Sequence, residues 1–177
     1  MSADAIEPLL VFGWGNPSRG DDALGPLLVE QLAEQARHLL PAGQLACLTD
    51  FQLQVEHALD LVGRQRVLFV DAEQDLAQPF NVRPLQPARG AGISSHAIAP
   101  EAVLQVYQDL YGEPPASTLL AIRARSFNLG EAPSKEALTD LAQALAWAQG
   151  WLANPPPWTH PAGQAEEALS PEKPRDK

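Results

Sequence analysis

Short apolar runs that favour buried strands alternate with segments whose apolar residues recur at helical spacing. This alternation limits the possible folds more than any other feature. The strand-like runs are PLLVFGW (8–14), LACLT (45–49), RVLFVDA (66–72) and STLLAIRARSF (117–127), with an edge strand expected near FNVRPL (80–85). Apolar residues recur at helical spacing in four segments, which start at Leu24 or cover 55–62, 100–111 and 134–152. Strands that alternate with helices predict an α/β fold with a parallel or mostly parallel sheet and helices on both faces.

The chain has 177 residues, which is the size of one ordinary domain. From Asn154 the composition changes to NPPPWTHPAGQAEEALSPEKPRDK, which is rich in proline and charge and offers little to a core. We predict one domain over residues 1–153 and a disordered tail over 154–177.

Charge and composition exclude several classes of partner. The net charge of −10 and the pI near 4.7 count against nucleic acid and anionic membranes, because both need clustered lysine and arginine. The single cysteine, Cys47, excludes an internal disulfide and fits a reducing compartment. The sequence shows no signal peptide and no run approaching the roughly 20 apolar residues of a membrane span. We therefore expect a soluble, cytoplasmic protein.

Carboxylates gather where the predicted strands end. Asp21 and Asp22 follow the first strand, Asp50 follows the second, and Asp71 ends the third. Ligands of open α/β sheets bind at the carboxyl ends of the strands. The functional edge of the predicted sheet is therefore acidic.

The loop GWGNPSRGDD is similar to a dinucleotide-binding loop but departs from it in charge. The first two glycines fit the G-x-G-x-x-G pattern, but Ser18 occupies the third glycine position. Asp21 and Asp22 stand where a phosphate would place its charge, so the loop suits a cation better than an anion. The structural alternative is a tight turn in which an aspartate caps the following helix.

A histidine completes a possible metal site. His96 lies in SSHAIAP, ahead of the predicted helix 100–111. Together with Asp22 and Asp71 it offers an imidazole and two carboxylates, and imidazole suits zinc, copper, iron and nickel. Structural roles for these residues stay open, since strand-end aspartates cap turns and loop histidines are commonly solvated. The remaining histidines are assigned to helix surfaces or to the tail, and Cys47 to the core.

In this order and spacing, GWGNPSRGDDALG, VLFVDA and SSHAIAP resemble the hydrogenase maturation proteases, which trim the C-terminal extension from the large subunit of nickel-iron hydrogenases. The resemblance covers roughly residues 8–150. It implies a three-layer α/β/α sandwich with a five-stranded, mostly parallel sheet, and an endopeptidase that acts on a hydrogenase large-subunit precursor.

The resemblance also implies roles for individual residues. Asp22, Asp71 and His96 would recognise nickel that is already held by the substrate, so the metal is not a permanent cofactor. One of the two carboxylates would be free to act as general base. Gly15, Asn16 and Asp50 would contact the substrate.

One segment departs from the family pattern. Many relatives carry an Asp-Gly-Gly-Thr-type segment after the second strand, whereas this chain has TDFQLQVE, which keeps Asp50 and loses the glycines. This difference concerns the identity of the substrate more than the reaction. Two alternatives remain: a noncatalytic nickel-sensing chaperone that uses the same ligands, and a nucleotide-binding enzyme, against which the acidic pair argues.

Overall fold

Five strands and three α-helices make up residues 7–90 and 98–153, the part of the chain that the computed structural model describes. The strands are β1 (Leu9–Trp14), β2 (Leu45–Asp50), β3 (Arg66–Glu73), β4 (Phe80–Leu85) and β5 (Ala116–Arg123). The helices are α1 (Leu24–Leu39), α2 (Pro100–Tyr111) and α3 (Lys135–Ala153), and 3₁₀ helices cover Gly20–Ala23 and Val55–Leu61. No helix of this described part is long and apolar enough to cross a membrane.

The strands form a single sheet in the order β2-β1-β3-β5-β4. β1 pairs in parallel with β2 and β3, and β3 pairs in parallel with β5. β4 runs antiparallel to β5 at the edge of the sheet. An edge strand tolerates Pro84, which has no N–H to donate to a second neighbour. The prediction of a five-stranded, mostly parallel sheet is confirmed.

Alternate residues of the buried strands face two separate cores. In β1, Leu9 and Val11 pack into the core that contains residues of α1 and α3. Leu10 and Phe12 pack into the other core, with residues of α2 and of the 3₁₀ helix Val55–Leu61. Helices therefore cover both faces of the sheet, and the predicted three-layer α/β/α sandwich is confirmed.

Two glycines bring α1 into close contact with the end of β1. A Cβ atom on Gly13 would lie 2.5 Å from the carbonyl oxygen of Gly25, and one on Gly25 would lie 2.4 Å from that of Trp14. Both separations are too short for real carbon–oxygen contacts, so any side chain would force the helix away. The contact places the residues that precede α1 directly over the carboxyl end of β1.

Two of the predicted elements differ from those observed. The strand expected over 117–127 ends at Arg123, because the amides of Arg125 and Ser126 donate to the Asp21 carboxylate and not to a neighbouring strand. The helix expected over 55–62 is a 3₁₀ helix, Val55–Leu61, in which the His57 amide donates to the Gln54 carbonyl at 3.2 Å. The predicted tail, 154–177, lies outside the described residues and stays a prediction.

Candidate functional site

The loop after β1 folds back so that Asp22 lies beside the end of the strand. Gly15 has φ of +143°, and a Cβ atom there would lie 1.9 Å from the Asp22 carbonyl oxygen, so only glycine fits. The Asn16 amide donates to Asp22 Oδ2 at 3.0 Å. The Asn16 side chain in turn accepts from the Ser18 amide at 2.9 Å. Gly15 and Asn16 therefore shape the loop that presents the Asp22 carboxylate.

The neighbouring aspartate, Asp21, points into the protein and is 0% exposed. Its Oδ1 accepts from the Ser134 amide at 2.7 Å, and its Oδ2 accepts from the amides of Arg125 (2.7 Å) and Ser126 (3.2 Å). The Ser134 hydroxyl also donates to Oδ2 at 3.1 Å. Burial raises the pKa of Asp21, but these hydrogen bonds outweigh burial and hold the pKa below its ordinary value. Asp21 is thus a buried, charged anchor for the β5–α3 loop.

The expectation that an aspartate caps the helix after the loop is wrong. Neither the 3₁₀ helix Gly20–Ala23 nor α1 has a side-chain hydrogen bond at its N-cap. Asp21 instead supports the start of α3, where the Ser134 hydroxyl accepts from the Ala137 amide at 3.2 Å. Ser134 is therefore the N-cap of α3.

Asp22 and Asp71 line the same cleft at the carboxyl end of the sheet. The cleft has a volume of about 340 Å³. Its lining also includes Trp14, Gly15, Asn16, Arg19, the segment 51–53, Ala72, Ile98 and Phe127. Arg19, which the sequence reasoning did not single out, is held beside the cleft because its Nε donates to the Phe127 carbonyl at 3.2 Å. The cleft thus combines two carboxylates with one guanidinium.

The electrostatics of Asp71 differ from those of an ordinary surface carboxylate. Burial is the main cause that raises its pKa, and the nearby charges of Asp22 and Glu73 raise it further. A hydrogen bond from the Ala72 amide to Oδ1, at 2.8 Å, opposes the rise only in part. The pKa of Asp71 is raised to about 7. A cation between Asp22 and Asp71 would relieve this repulsion and favour the charged form.

A second cleft, of about 430 Å³, lies near the start of β1 and the C-terminal ends of α1 and α3. Its lining in the described part of the chain is apolar apart from Gln44 and contains no titratable side chain. Although this cleft is larger, it offers no group for acid–base or metal chemistry. The cleft of Asp22 and Asp71 is therefore the candidate site.

Asp50 lies at the end of β2, as predicted, but its carboxylate is bound by protein groups. Oδ1 accepts from the Phe51 amide at 2.6 Å, and Oδ2 lies 3.2 Å from His57 Nε2. The backbone carbonyl of Asp50 accepts from the Gly15 amide at 3.0 Å. Asp50 thus joins the loops after β1 and β2, while the three residues that follow it line the cleft. Its predicted contact with substrate stays a prediction.

His57 is not on the helix surface, where the sequence analysis assigned it. Its side chain is only 15% exposed, and its ring packs edge-on against Phe12 with the centroids 4.6 Å apart. The missed signal is spacing: His57 lies three residues after the N-cap Gln54, the position from which a side chain reaches back to the N-cap amide.

The third predicted ligand, His96, lies outside the described residues. Ile98, two residues later in the chain, lines the cleft. Within 7–90 and 98–153, no group of three or more histidine, cysteine, aspartate or glutamate side chains is placed to hold a metal ion. The described residues therefore bring together two of the three predicted ligands.

Cys47 behaves as the core residue that its strand position predicts. It is partly buried and packs against the core that contains α1 and α3. Burial raises the pKa of its thiol to about 11, so the thiol stays protonated and unreactive near neutral pH.

Comparison with solved structures identifies proteins with the same architecture. A nickel-iron hydrogenase maturation protease, HycI, from Thermococcus kodakarensis superposes with a TM-score of 0.64 and 22% identity, over 82% of this chain and 92% of that one. The chain has the fold of the hydrogenase maturation proteases. The maturating endopeptidase HybD from Escherichia coli gives a TM-score of 0.64 and 20% identity, over 79% of this chain and 88% of that one. A hydrogenase 2 maturation peptidase from a Thaumarchaeota archaeon gives a TM-score of 0.60 and 20% identity, over 82% of this chain and 98% of that one.

The likeness is one of structure and not of overall sequence. No protein-family model matches the chain, and no curated protein matches its sequence significantly. The shared fold nevertheless spans most of the chain.

Proposed function

We propose that this protein is an endopeptidase that removes the C-terminal extension of a nickel-iron hydrogenase large-subunit precursor. The observation that carries the proposal is the meeting of Asp22 and Asp71 in one cleft, at the carboxyl end of a sheet with this fold. The maturation endopeptidases that share the fold support the reaction type. We also propose that it acts in the cytoplasm, in line with its single cysteine.

The nickel in this proposal belongs to the substrate. Asp22, Asp71 and His96 would contact nickel that the immature large subunit already holds, and the protease would keep no metal between turnovers. Carboxylate and imidazole groups both bind nickel, and the two carboxylates supply negative charge that attracts a cation. An incoming cation therefore explains why an acidic pair occupies a loop that otherwise resembles a phosphate-binding one.

Each carboxylate has a definable part in cleavage. Asp22 is oriented by the Asn16 amide and lines the cleft beside Asp71. Asp71 accepts a hydrogen bond from the Ala72 amide and lines the cleft beside Asp22, so either carboxylate is placed to act as general base toward a water molecule. A water molecule attacks the scissile carbonyl carbon while one of the two carboxylates takes up its proton. The C–N bond then breaks, and the leaving amine takes that proton from the carboxyl group. The nickel of the substrate would hold the peptide beside these groups.

The test is the intact mass of a precursor large subunit after incubation with the protein, with and without prior nickel loading. We expect the C-terminal peptide to be lost only from the nickel-loaded precursor. Asp71→Asn should abolish this loss, whereas Asp75→Asn, which removes the same charge from an exposed turn, should not.

Two other results would contradict the proposal in different ways. Cleavage of the nickel-free precursor at the same rate would refute recognition of nickel. Unchanged mass of a precursor shown to hold nickel, combined with tight binding, would favour the noncatalytic chaperone over the endopeptidase.

A further inference from the structure

The segment Phe51–Leu53 forms one wall of the cleft and is bound at both ends by the same side chain. Before the segment, Asp50 Oδ2 lies 3.2 Å from His57 Nε2. After the segment, the Gln54 amide donates to His57 Nδ1 at 2.9 Å. His57 itself lies outside the cleft lining, in the 3₁₀ helix behind the segment. One imidazole therefore closes the chain from Asp50 to Gln54 into a loop.

The two hydrogen bonds require one particular form of the ring. A backbone N–H can only donate, so Nδ1 must accept, and the ring proton must lie on Nε2. From Nε2 the proton is donated to the Asp50 carboxylate, which also accepts from the Phe51 amide at 2.6 Å. The edge-on contact with Phe12 at 4.6 Å and the low exposure of the ring fix its orientation. The neutral imidazole matches a donor on one side and an acceptor on the other.

The wall that this loop presents is available to a substrate. Phe51 is 64% exposed although it is a large apolar residue, while Leu53 is buried and secures the segment to the core. Phe51, Gln52 and Leu53 all line the cleft with Asp22 and Asp71. A polypeptide in the cleft would therefore meet an exposed aromatic ring and a side-chain amide whose positions depend on the loop.

We propose that His57 is a positioning residue that sets the shape of the substrate-binding wall Phe51–Leu53 and thereby the affinity for the precursor. This inference rests on the proposed endopeptidase function. His57 contacts neither the substrate nor the reacting atoms, so its loss weakens binding and leaves the chemical step unchanged. A free loop must be ordered again on each binding event, and that cost raises KM.

The chemistry of the position provides a matched pair of variants. Glutamine and glutamate both reach back to an N-cap amide from this position. Glutamine can also donate to Asp50 through its amide, whereas glutamate places a second negative charge against Asp50. The two side chains have almost the same size, so they differ in the Asp50 contact alone. His57→Ala removes both contacts, and His38→Ala, at an exposed site on α1, is the control for loss of a histidine.

The experiment measures kcat and KM for cleavage of the nickel-loaded precursor by wild-type protein and the four variants, with urea midpoints to compare their folding. We expect His57→Glu and His57→Ala to raise KM about tenfold, with kcat within about twofold of wild type. His57→Gln and His38→Ala should stay within about threefold of the wild-type KM.

The remaining outcomes overturn separate claims. An unchanged KM in both His57→Ala and His57→Glu refutes the role of His57 while the endopeptidase function stands. A KM in His57→Gln as high as in His57→Ala refutes the hydrogen-bond basis of that role. Absence of cleavage by the wild-type protein refutes the proposed function, and the inference falls with it.

Discussion

Replacing Asp21 by asparagine should destabilise the protein more than the same change at Asp22, although the two residues are adjacent. The buried Asp21 carboxylate accepts from three backbone amides and one hydroxyl. An asparagine keeps one acceptor oxygen and replaces the other by an NH₂ group. Because NH₂ and a backbone N–H are both donors, at least one of the amides loses its acceptor. At the cleft, Asp22 accepts from the Asn16 amide alone among the described contacts.

The size of the effect follows from these contacts. A buried amide left without an acceptor costs about 1–3 kcal/mol, and each hydrogen bond that loses its charged partner weakens by about 0.5–1 kcal/mol. One lost and three weakened hydrogen bonds at Asp21 therefore lower the free energy of unfolding by about 3–6 kcal/mol. For a domain of this size, that corresponds to a fall in Tm of roughly 6–24 °C. Asp22→Asn should change the free energy of unfolding by less than about 1 kcal/mol.

The effect should also depend on pH with a definite sign. The folded-state pKa of Asp21 lies below its ordinary value, so its stabilisation is complete above the unfolded-state pKa and is lost as pH falls through the folded-state pKa. The stability gap between wild type and Asp21→Asn should be constant from pH 5 upward and narrow in strong acid. Urea unfolding followed by far-UV circular dichroism measures it. Equal losses for Asp21→Asn and Asp22→Asn at pH 7 would refute the division of roles between them.

Four further predictions follow from the site and the sequence. The folded-state pKa of Asp71 is raised to about 7 from 3.8, so ionisation of Asp71 lowers the free energy of unfolding as pH rises from 4 to 8. Asp71→Asn should therefore increase the free energy of unfolding at pH 8 by up to roughly 4 kcal/mol and change it little at pH 3. Urea titrations at both pH values measure this difference. Gly15→Ala places a Cβ 1.9 Å from the Asp22 carbonyl, and should lower Tm in a thermal melt and abolish precursor cleavage. His96→Ala should abolish processing in the mass assay with an unchanged circular dichroism spectrum, and normal cleavage would remove His96 from the site. Deletion of 154–177 should leave the cleavage rate largely unchanged, and a collapse of solubility or activity would show that this segment packs or binds.

The large features of the fold could be predicted because they depend on local patterns. Apolar runs such as RVLFVDA are long enough to be buried strands, and the helical segments between them force parallel pairing. Because parallel strands share one carboxyl edge, the sequence could also place Asp22 and Asp71 together. Both carboxylates do line one cleft.

The finer features depend on contacts between distant residues, which no local pattern contains. Asp21 and Asp22 are the same residue type in the same turn, and their roles separate only because Ser134 and Arg125 reach Asp21 from more than 100 positions away. The same contact ends β5 four residues earlier than predicted. His57 was assigned to a surface because the partners of its ring lie on both sides of a loop whose shape the sequence does not reveal.

The Asp21 anchor also has a consequence for the order in which the protein becomes complete during synthesis. The Ser134 amide follows Asp21 by 113 residues, so at about 5–20 residues per second roughly 6–23 s pass between their additions to the nascent chain. Until then the Asp21 carboxylate lacks two of its four hydrogen bonds, those from the Ser134 amide and hydroxyl. A growing chain therefore lacks the full Asp21 anchor, and the cleft-lining Phe127, until the segment between β5 and α3 has been added.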